Sequence, residues 1–156
     1  MGSDTHQPGV WGGPAYAVVG SKRLVFYCGA IGLNPPGGPV TAFAVTETGT
    51  RLGHDTVAGG LIPNQSQVTF PGQWAGGATP VISSSGDAAE SAILWIIRRA
   101  NPMVLYAFDP ADLTQKLVQI NAGPWSTPRG TAMVEATVIN GKVYVGSDGQ
   151  LSVFGL

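Results

Sequence analysis

The last fifteen residues constrain the fold of this chain more than any other segment. Residues 142–156 form two short runs of alternating apolar and polar residues, joined by Asp148-Gly149. This pattern is typical of a β-hairpin with a two-residue turn. Residues 135–141 precede it, end in Asn140-Gly141 and predict one further strand. The chain therefore closes on three consecutive antiparallel strands, and we expect a fourth strand to be supplied from elsewhere.

Two similar units precede this one. A segment that starts at Trp11 is echoed by one that starts at Trp74, and each leads into apolar runs separated by turns. The first unit predicts strands over residues 15–19, 24–29, 40–45 and 51–57, and the second over 79–84, 92–98, 104–108 and 116–121. No segment shows helical periodicity over the ten or more residues that a helix needs. The chain is predicted to be all-β, and the connection over residues 61–73 is either a loop or contains an extra strand over 67–70.

Repeated four-stranded units with turns between them are typical of β-propeller blades. A β-sandwich would instead show evenly spaced strands without an echo between units. We therefore predict a single partial β-propeller domain over residues 1–156. Its blades are expected over approximately residues 11–60, 74–123 and 131–156, the first two with four strands and the last with three.

The last unit resembles a known repeat. Residues 140–154, from Asn-Gly through Lys-Val-Tyr-Val-Gly to the Asp-Gly turn, closely resemble the repeat of quinoprotein-dehydrogenase-like propellers. Tyr106-Ala-Phe-Asp-Pro110 resembles the next part of that repeat, in which Ala and Asp precede a Thr-Gly turn and a Trp that docks one blade on the next. Here Gln119 stands near the position of that Trp in the second unit, and His54 stands near it in the first. The resemblance covers most of the chain as architecture and is motif-specific in the last unit.

The resemblance implies a related repeat and carries over no catalytic residue. Members of the family hold pyrroloquinoline quinone and calcium over the centre of the propeller, beneath an adjacent pair of cysteines. Cys28 is the only cysteine of this chain, and no set of Asn, Asp and Glu side chains maps to the calcium. Pyrroloquinoline quinone is therefore not expected. The apolar neighbours of Cys28 predict a buried, unreactive thiol.

Chain length limits what one copy can form. Propellers close with about four to eight blades, whereas this chain supplies two blades and three quarters of a third. The exposed blade faces and sheet edge predict a homo-oligomer with head-to-tail contacts. A dimer is favoured because two copies would give a ring of about six blades. Residues 5–10 of a neighbouring copy are the candidate for the missing strand.

Composition excludes several partners. Eight Lys and Arg against nine Asp and Glu give a net charge of −1 and no basic stripe, so nucleic acid is not an expected partner. The longest apolar run, residues 92–97, is far shorter than the ~20 residues that cross a bilayer. The N-terminal residues lack the apolar core of a signal peptide. We expect a soluble protein without a membrane partner, in a compartment that the sequence leaves open.

The metal-capable side chains are few. His6 lies near Asp4, and His54 is next to Asp55, without a recognised ligand spacing in either pair. Exposed loop histidines are the simpler interpretation. A symmetric ring would nevertheless bring copies of one histidine around one axis, so a divalent metal is retained as an alternative. It would serve a hydrolase of activated esters or phosphoesters with His6 and His54 as catalytic candidates, which leaves open whether the protein is an enzyme.

The leading functional prediction is a scaffold that binds a small molecule or a protein. Trp125 lies outside any predicted strand and is the best tryptophan candidate for ligand contact. Asp87 and Glu90 could pair as acid and base, although loop carboxylates are more often simply solvated. This prediction rests on fold analogy, because propellers commonly present a loop-rich face to their ligands.

Overall fold

A computed structural model describes residues 12–29, 37–45, 52–57, 60, 62–70, 77–86, 88, 91–126 and 134–155. The elements within these ranges are twelve β-strands. They are β1 Ala15–Val19, β2 Lys22–Cys28, β3 Gly38–Val45, β4 Leu52–His54, β5 Gln65–Phe70, β6 Val81–Ser83, β7 Ile93–Arg98, β8 Met103–Asp109, β9 Asp112–Gly123, β10 Thr137–Ile139, β11 Lys142–Ser147 and β12 Gln150–Gly155. The prediction of an all-β chain is confirmed.

The strands form three antiparallel sheets that follow one another along the chain. The first sheet has the order β1-β2-β3-β4, and β5 also pairs with β3. The second has the order β6-β7-β8-β9, and the third has the order β10-β11-β12. The second and third sheets are meanders in which consecutive strands are neighbours, and so are β1 to β4 of the first sheet. The sequence predicts two four-stranded units and one three-stranded unit. The second and third sheets have these numbers of strands, whereas the first has five because β5 also pairs with β3.

The predicted turns explain the third sheet. Ser147 pairs with Gln150 and leaves Asp148-Gly149 as a two-residue turn. Asn140 and Gly141 both have positive φ, 50° and 68°, which Asn and Gly adopt more readily than other residues. The C-terminal hairpin and the strand before it are thus confirmed.

The outer strand of the first sheet is divided into two pieces. β4 pairs with one half of β3, where Phe43 is opposite His54, and β5 pairs with the other half, where Gly38 is opposite Phe70. The connection over residues 61–73 therefore contains the extra strand that the sequence left open. β4 is shorter than the predicted 51–57 because the chain leaves the sheet at Asp55 and returns at Asn64. Both residues keep backbone hydrogen bonds to Ala42 of β3.

The three sheets pack face to face, with one apolar core in each of the two spaces between them. The first core contains Leu24 and Phe26 of the first sheet and Leu94 and Ile96 of β7. The second core contains Trp95 and Ile97 of β7 together with side chains of the third sheet, such as Val143. Because side chains alternate along a strand, β7 supplies both cores. The first strands of the three sheets lie side by side, since β6 contacts both β1 and β10.

Cys28 is buried in the first core, as predicted. Its thiol lies 3.7 Å from the carbonyl oxygen of Gly38. Burial raises the pKa of the Cys28 thiol from 9.0 to about 12, because a thiolate would lose its hydration there. The protonated thiol is therefore the form that the folded protein keeps, and such a thiol is a poor nucleophile.

Truncating a leucine in the second core should destabilise the protein far more than truncating an exposed one. Leu105 is 0% exposed and Leu117 is 54% exposed. We expect Leu105→Ala to lower the free energy of unfolding by about 2–5 kcal/mol, because it leaves a cavity. The matched Leu117→Ala should change it by less than about 0.5 kcal/mol. Urea denaturation followed by tryptophan fluorescence measures both, and equal effects would contradict this assignment of the core.

The buried thiol should make stability depend on pH in the alkaline range. Unfolded Cys28 releases its proton near pH 9.0, whereas the folded form keeps it to about pH 12. The folded pKa is raised, so the stabilisation is complete below pH 9 and is lost as the pH rises towards 12. Between these limits the unfolding free energy of the wild type should fall, relative to Cys28→Ala, by about 1.4 kcal/mol per pH unit. Denaturation curves at several pH values measure the difference, and parallel curves for the two proteins would contradict the assignment.

Candidate ligand cleft

A cleft of about 660 Å³ opens between the first and second sheets. One wall is the turn between β1 and β2 with Asp55 beside it, and the other is the turn between β8 and β9 with Ala92 beside it. The polar residues that line it are Ser21, Lys22, Asp55 and Asp109. Its volume lies within the roughly 300–1,000 Å³ that is usual for small-molecule sites.

An ion pair lies at the base of the first wall. The Lys22 ammonium donates to Asp55 Oδ1 at 2.7 Å and to the carbonyl oxygen of Thr56 at 3.2 Å. The Asp55 side chain is 4% exposed and that of Lys22 is 50% exposed. A lysine ammonium has three donors, and these two bonds use two of them. The third donor has no partner among the described residues.

Asn64 connects this ion pair to the second sheet. Its side-chain NH₂ donates to Asp55 Oδ2 at 2.9 Å and lies 3.2 Å from the carbonyl oxygens of both Pro110 and Ala111. Its side-chain oxygen accepts the backbone N–H of Leu113 at 2.8 Å. Asn64 is fully buried. One side chain of the first sheet therefore binds the turn between β8 and β9 and holds the two walls together.

The divided outer strand explains why Asp55 and Asn64 meet. The chain makes a short excursion between Asp55 and Asn64, and a bridge between Thr56 and Pro63 closes it. At its base the backbone N–H of Asn64 donates to the carbonyl oxygen of Asp55 at 2.8 Å. The excursion brings two residues that are nine positions apart in sequence into direct contact.

The second wall is shaped by aspartates in a tight turn. Asp109 accepts the backbone N–H of Ala111 at 2.8 Å, which is the geometry of an Asx turn. Asp112, on the far side of the turn, accepts hydrogen bonds from the hydroxyl and the backbone N–H of Thr114. These bonds lower the pKa of Asp112, chiefly through the Thr114 hydroxyl. Asp109 thus presents a half-buried carboxylate across the cleft from Lys22.

Two further grooves open at the same end of the sheets. One of about 440 Å³ lies between Tyr16 and Val18 of β1 and Ile82 of β6. The other, of about 580 Å³, lies between the serine-containing connection from β6 to β7 and the Asn140-Gly141 turn of the third sheet. The connections β1 to β2, β6 to β7, β8 to β9 and β10 to β11 all contribute to these three depressions. This end is called the grooved end below.

The structure separates the side chains of His54 and Asp55. His54 is exposed on β4, and its ring centroid lies 4.7 Å from that of Phe43. Asp55 is buried against Lys22 and Asn64. Asp4, His6, Asp87 and Glu90 lie outside the described residues. Among the residues that are described, no three His, Cys, Asp or Glu side chains group closely enough to hold a metal. The catalytic and metal roles of His6 and His54 remain predictions.

Trp125 lies in the second core and not in the cleft. It is 8% exposed, in one cluster with Trp95. Its backbone N–H donates to Asn101 Oδ1 at 3.3 Å, and its indole nitrogen has no hydrogen-bond partner within the described ranges. Burial of this kind is typical of a packing residue. Its predicted role in ligand contact remains a prediction.

Sequence reasoning missed most of the cleft. It named Asp55 as a metal candidate but did not name Lys22, Asn64 or Asp109. A sequence signal existed for Asp109, because Asp109-Pro110 follows an apolar strand and marks a turn. There was no comparable signal for Asn64, whose importance arises from contacts with residues 46 and more positions away.

No protein-family model, curated protein or solved structure matches the chain. In the part of the chain that the structure describes, no helix has the length and apolarity needed to span a membrane. The geometry of the cleft is therefore the basis for its proposed role.

Removing the Asn64 side chain should weaken the packing of the first sheet against the second. Asn64→Ala leaves the N–H of Leu113 without its acceptor and removes one donor from the buried Asp55. We expect the unfolding free energy to fall by about 2–4 kcal/mol, because buried polar groups lose their partners. Asn121→Ala is the control. Asn121 is exposed and its side-chain oxygen accepts the nearby Gly123 N–H, so its loss should amount to about 1 kcal/mol or less.

Thermal and urea unfolding measure both variants. Equal stability of Asn64→Ala and Asn121→Ala would show that the Asn64 network does not hold the sheets together.

Proposed function

We propose that this chain is a partial β-propeller that assembles with copies of itself and binds a small polar molecule at its grooved end. The observation that carries the proposal is the stacking of three antiparallel meanders in chain order, with β1, β6 and β10 side by side. Propeller blades are meanders arranged in this way around a central axis. The local resemblance of residues 140–154 to the repeat of quinoprotein-dehydrogenase-like propellers supports the same proposal.

Self-assembly is proposed because three sheets are too few to close a ring. Propellers have about four to eight blades, so the first and third sheets of one copy must each find a neighbour elsewhere. A dimer would provide about six blades. A completing strand from residues 5–10 of a neighbouring copy belongs to this proposal, and those residues lie outside the described ranges.

Ligand binding is proposed because the cleft combines a fixed donor and a fixed acceptor on opposite walls. Lys22 is held by Asp55 and Thr56, so its remaining N–H has a restricted direction. Asp109 is held by its turn. Such a pair suits a ligand with an acceptor at one end and a donor at the other, such as a free amino acid or a polyol.

The hydrolase alternative is not favoured by any particular observation on the described residues. The His54 ring contacts that of Phe43 at a tilt of 41°, and the other candidate, His6, lies outside the described residues. Hydrolysis of activated esters or phosphoesters therefore stays a prediction, as does a divalent metal.

Binding in the cleft can be mapped by NMR. We expect glycine or glucose, each titrated to tens of millimolar, to shift the backbone amide resonances of Gly20, Lys22 and Ala111, which line the cleft. Lys22→Ala should weaken that binding by about tenfold or more, because it removes a charged hydrogen-bond donor. Lys116→Ala is the matched control, because Lys116 is exposed on β9 and bonds only to Gln119.

Shifts that appear elsewhere, or that persist in Lys22→Ala, would overturn the assignment of this site. An absence of shifts with both probes would count against small polar ligands of these two classes.

A further inference from the structure

We propose that the outer face of the first sheet binds the outer face of the third sheet of a second copy, in a head-to-tail contact. This inference rests on the assembly part of the proposed function and specifies which surfaces carry it. The two surfaces are called the leading face and the trailing face.

The leading face is the side of the first sheet that points away from the second sheet. Its apolar side chains are Tyr16, Val18, Val25, Tyr27 and Phe43. The register places Tyr16 opposite Val25, and Val25 opposite Phe43, so they form a row across three strands. Tyr16 and Val18 are more than half exposed. In the described part of the chain, no other sheet covers this face.

The trailing face is the corresponding side of the third sheet. Its apolar side chains are Ile139, Tyr144, Leu151 and Val153. Tyr144 lies opposite Val153, so these residues also form a row across neighbouring strands. Leu151 is 64% exposed. Val143 and Val145, which alternate with them along β11, point the other way into the second core.

The internal joints of the chain indicate what covers these faces. The second sheet turns Leu94 and Ile96 towards the first sheet, and Trp95 and Ile97 towards the third. We call the face of a sheet that is turned towards the next sheet in the chain its forward face, and the face turned towards the previous sheet its backward face. Each of the two contacts between sheets joins a forward face to a backward face. Among the described residues, no following sheet covers the trailing face and no preceding sheet covers the leading face. A second copy joined head to tail repeats the joint that the chain already makes twice.

The same observation argues against a contact between like faces. A symmetric dimer would pair two leading faces, which are backward faces, or two trailing faces, which are forward faces. Neither kind of contact occurs between the described sheets of one chain. Rows of large apolar side chains are the kind of patch that marks a protein interface. The register also places Arg23 on the leading face, opposite Val18, and Lys142 on the trailing face, opposite Ile139. The proposed occupant is a second copy, and a contact between two different faces is heterologous.

Three single substitutions test the inference by native mass spectrometry at low micromolar concentration. Val18→Asp places a charge on the leading face, and Leu151→Asp places one on the trailing face. Leu117→Asp is the control, because Leu117 is comparably exposed but lies on β9, away from both faces. We expect the wild type and Leu117→Asp to form the same discrete oligomer. The other two should be monomers, with a dissociation constant raised by about 30-fold or more.

Mixing the two face variants gives the sharpest result. Val18→Asp keeps an intact trailing face and Leu151→Asp keeps an intact leading face, so an equimolar mixture should form a heterodimer through one complete junction. Recovery by mixing also shows that both variants are folded, and circular dichroism checks each one separately. If neither variant gains a partner on mixing although both are folded, the head-to-tail contact is wrong.

The remaining outcomes separate this inference from the proposed function. A wild type that is monomeric overturns the assembly proposal and this inference together. An oligomer that persists in both Val18→Asp and Leu151→Asp overturns this choice of faces and leaves assembly through another surface. Neither result bears on ligand binding in the cleft, which the NMR titration tests on its own.

Discussion

Burial of both faces of the middle sheet is the constraint on which the rest of this structure depends. β7 alternates Leu94 and Ile96 towards one neighbour with Trp95 and Ile97 towards the other, so the chain has two cores that share one strand. A sheet that is apolar on both sides needs a partner on each side, because exposed apolar surface is unfavourable in water. The first and third sheets meet that need for the second, and each is left with an outer face of its own.

Polar contacts then fix how the first two sheets meet. Apolar packing alone tolerates sliding, whereas a fully buried Asn64 must find partners for its donors and its acceptor. It finds them in Asp55 and in the turn between β8 and β9, and Asp55 in turn holds Lys22. The network that positions the sheets is thus the same one that forms the floor of the cleft. The contacts that stabilise the packing of the two sheets therefore also hold Lys22 and Asp55 in the cleft, and Asn64 supports the cleft without lining it.

The grooved end and the two outer faces divide the surface into different tasks. Turns with Gly, Asn and Asp produce depressions at one end of the sheets, where backbone groups and a few charges are available for a small molecule. The leading and trailing faces offer rows of apolar side chains, which suit contact with protein. In the proposed assembly, each copy would bring its own cleft, and the ring would place these clefts at one end of the particle.

Local sequence determined the strands and turns of this protein, because alternation and turn chemistry act over a few residues. It predicted the β11 and β12 hairpin and the succession of three units, and it placed Cys28 in a core. Tertiary structure alone decided the pairing of β5 with β3, the burial of Trp125 and the meeting of Lys22, Asp55 and Asn64. These features depend on contacts between residues far apart in the chain, which no local periodicity of the sequence predicts. The sheets can be found from local pattern, but the site exists only once two of them are packed together.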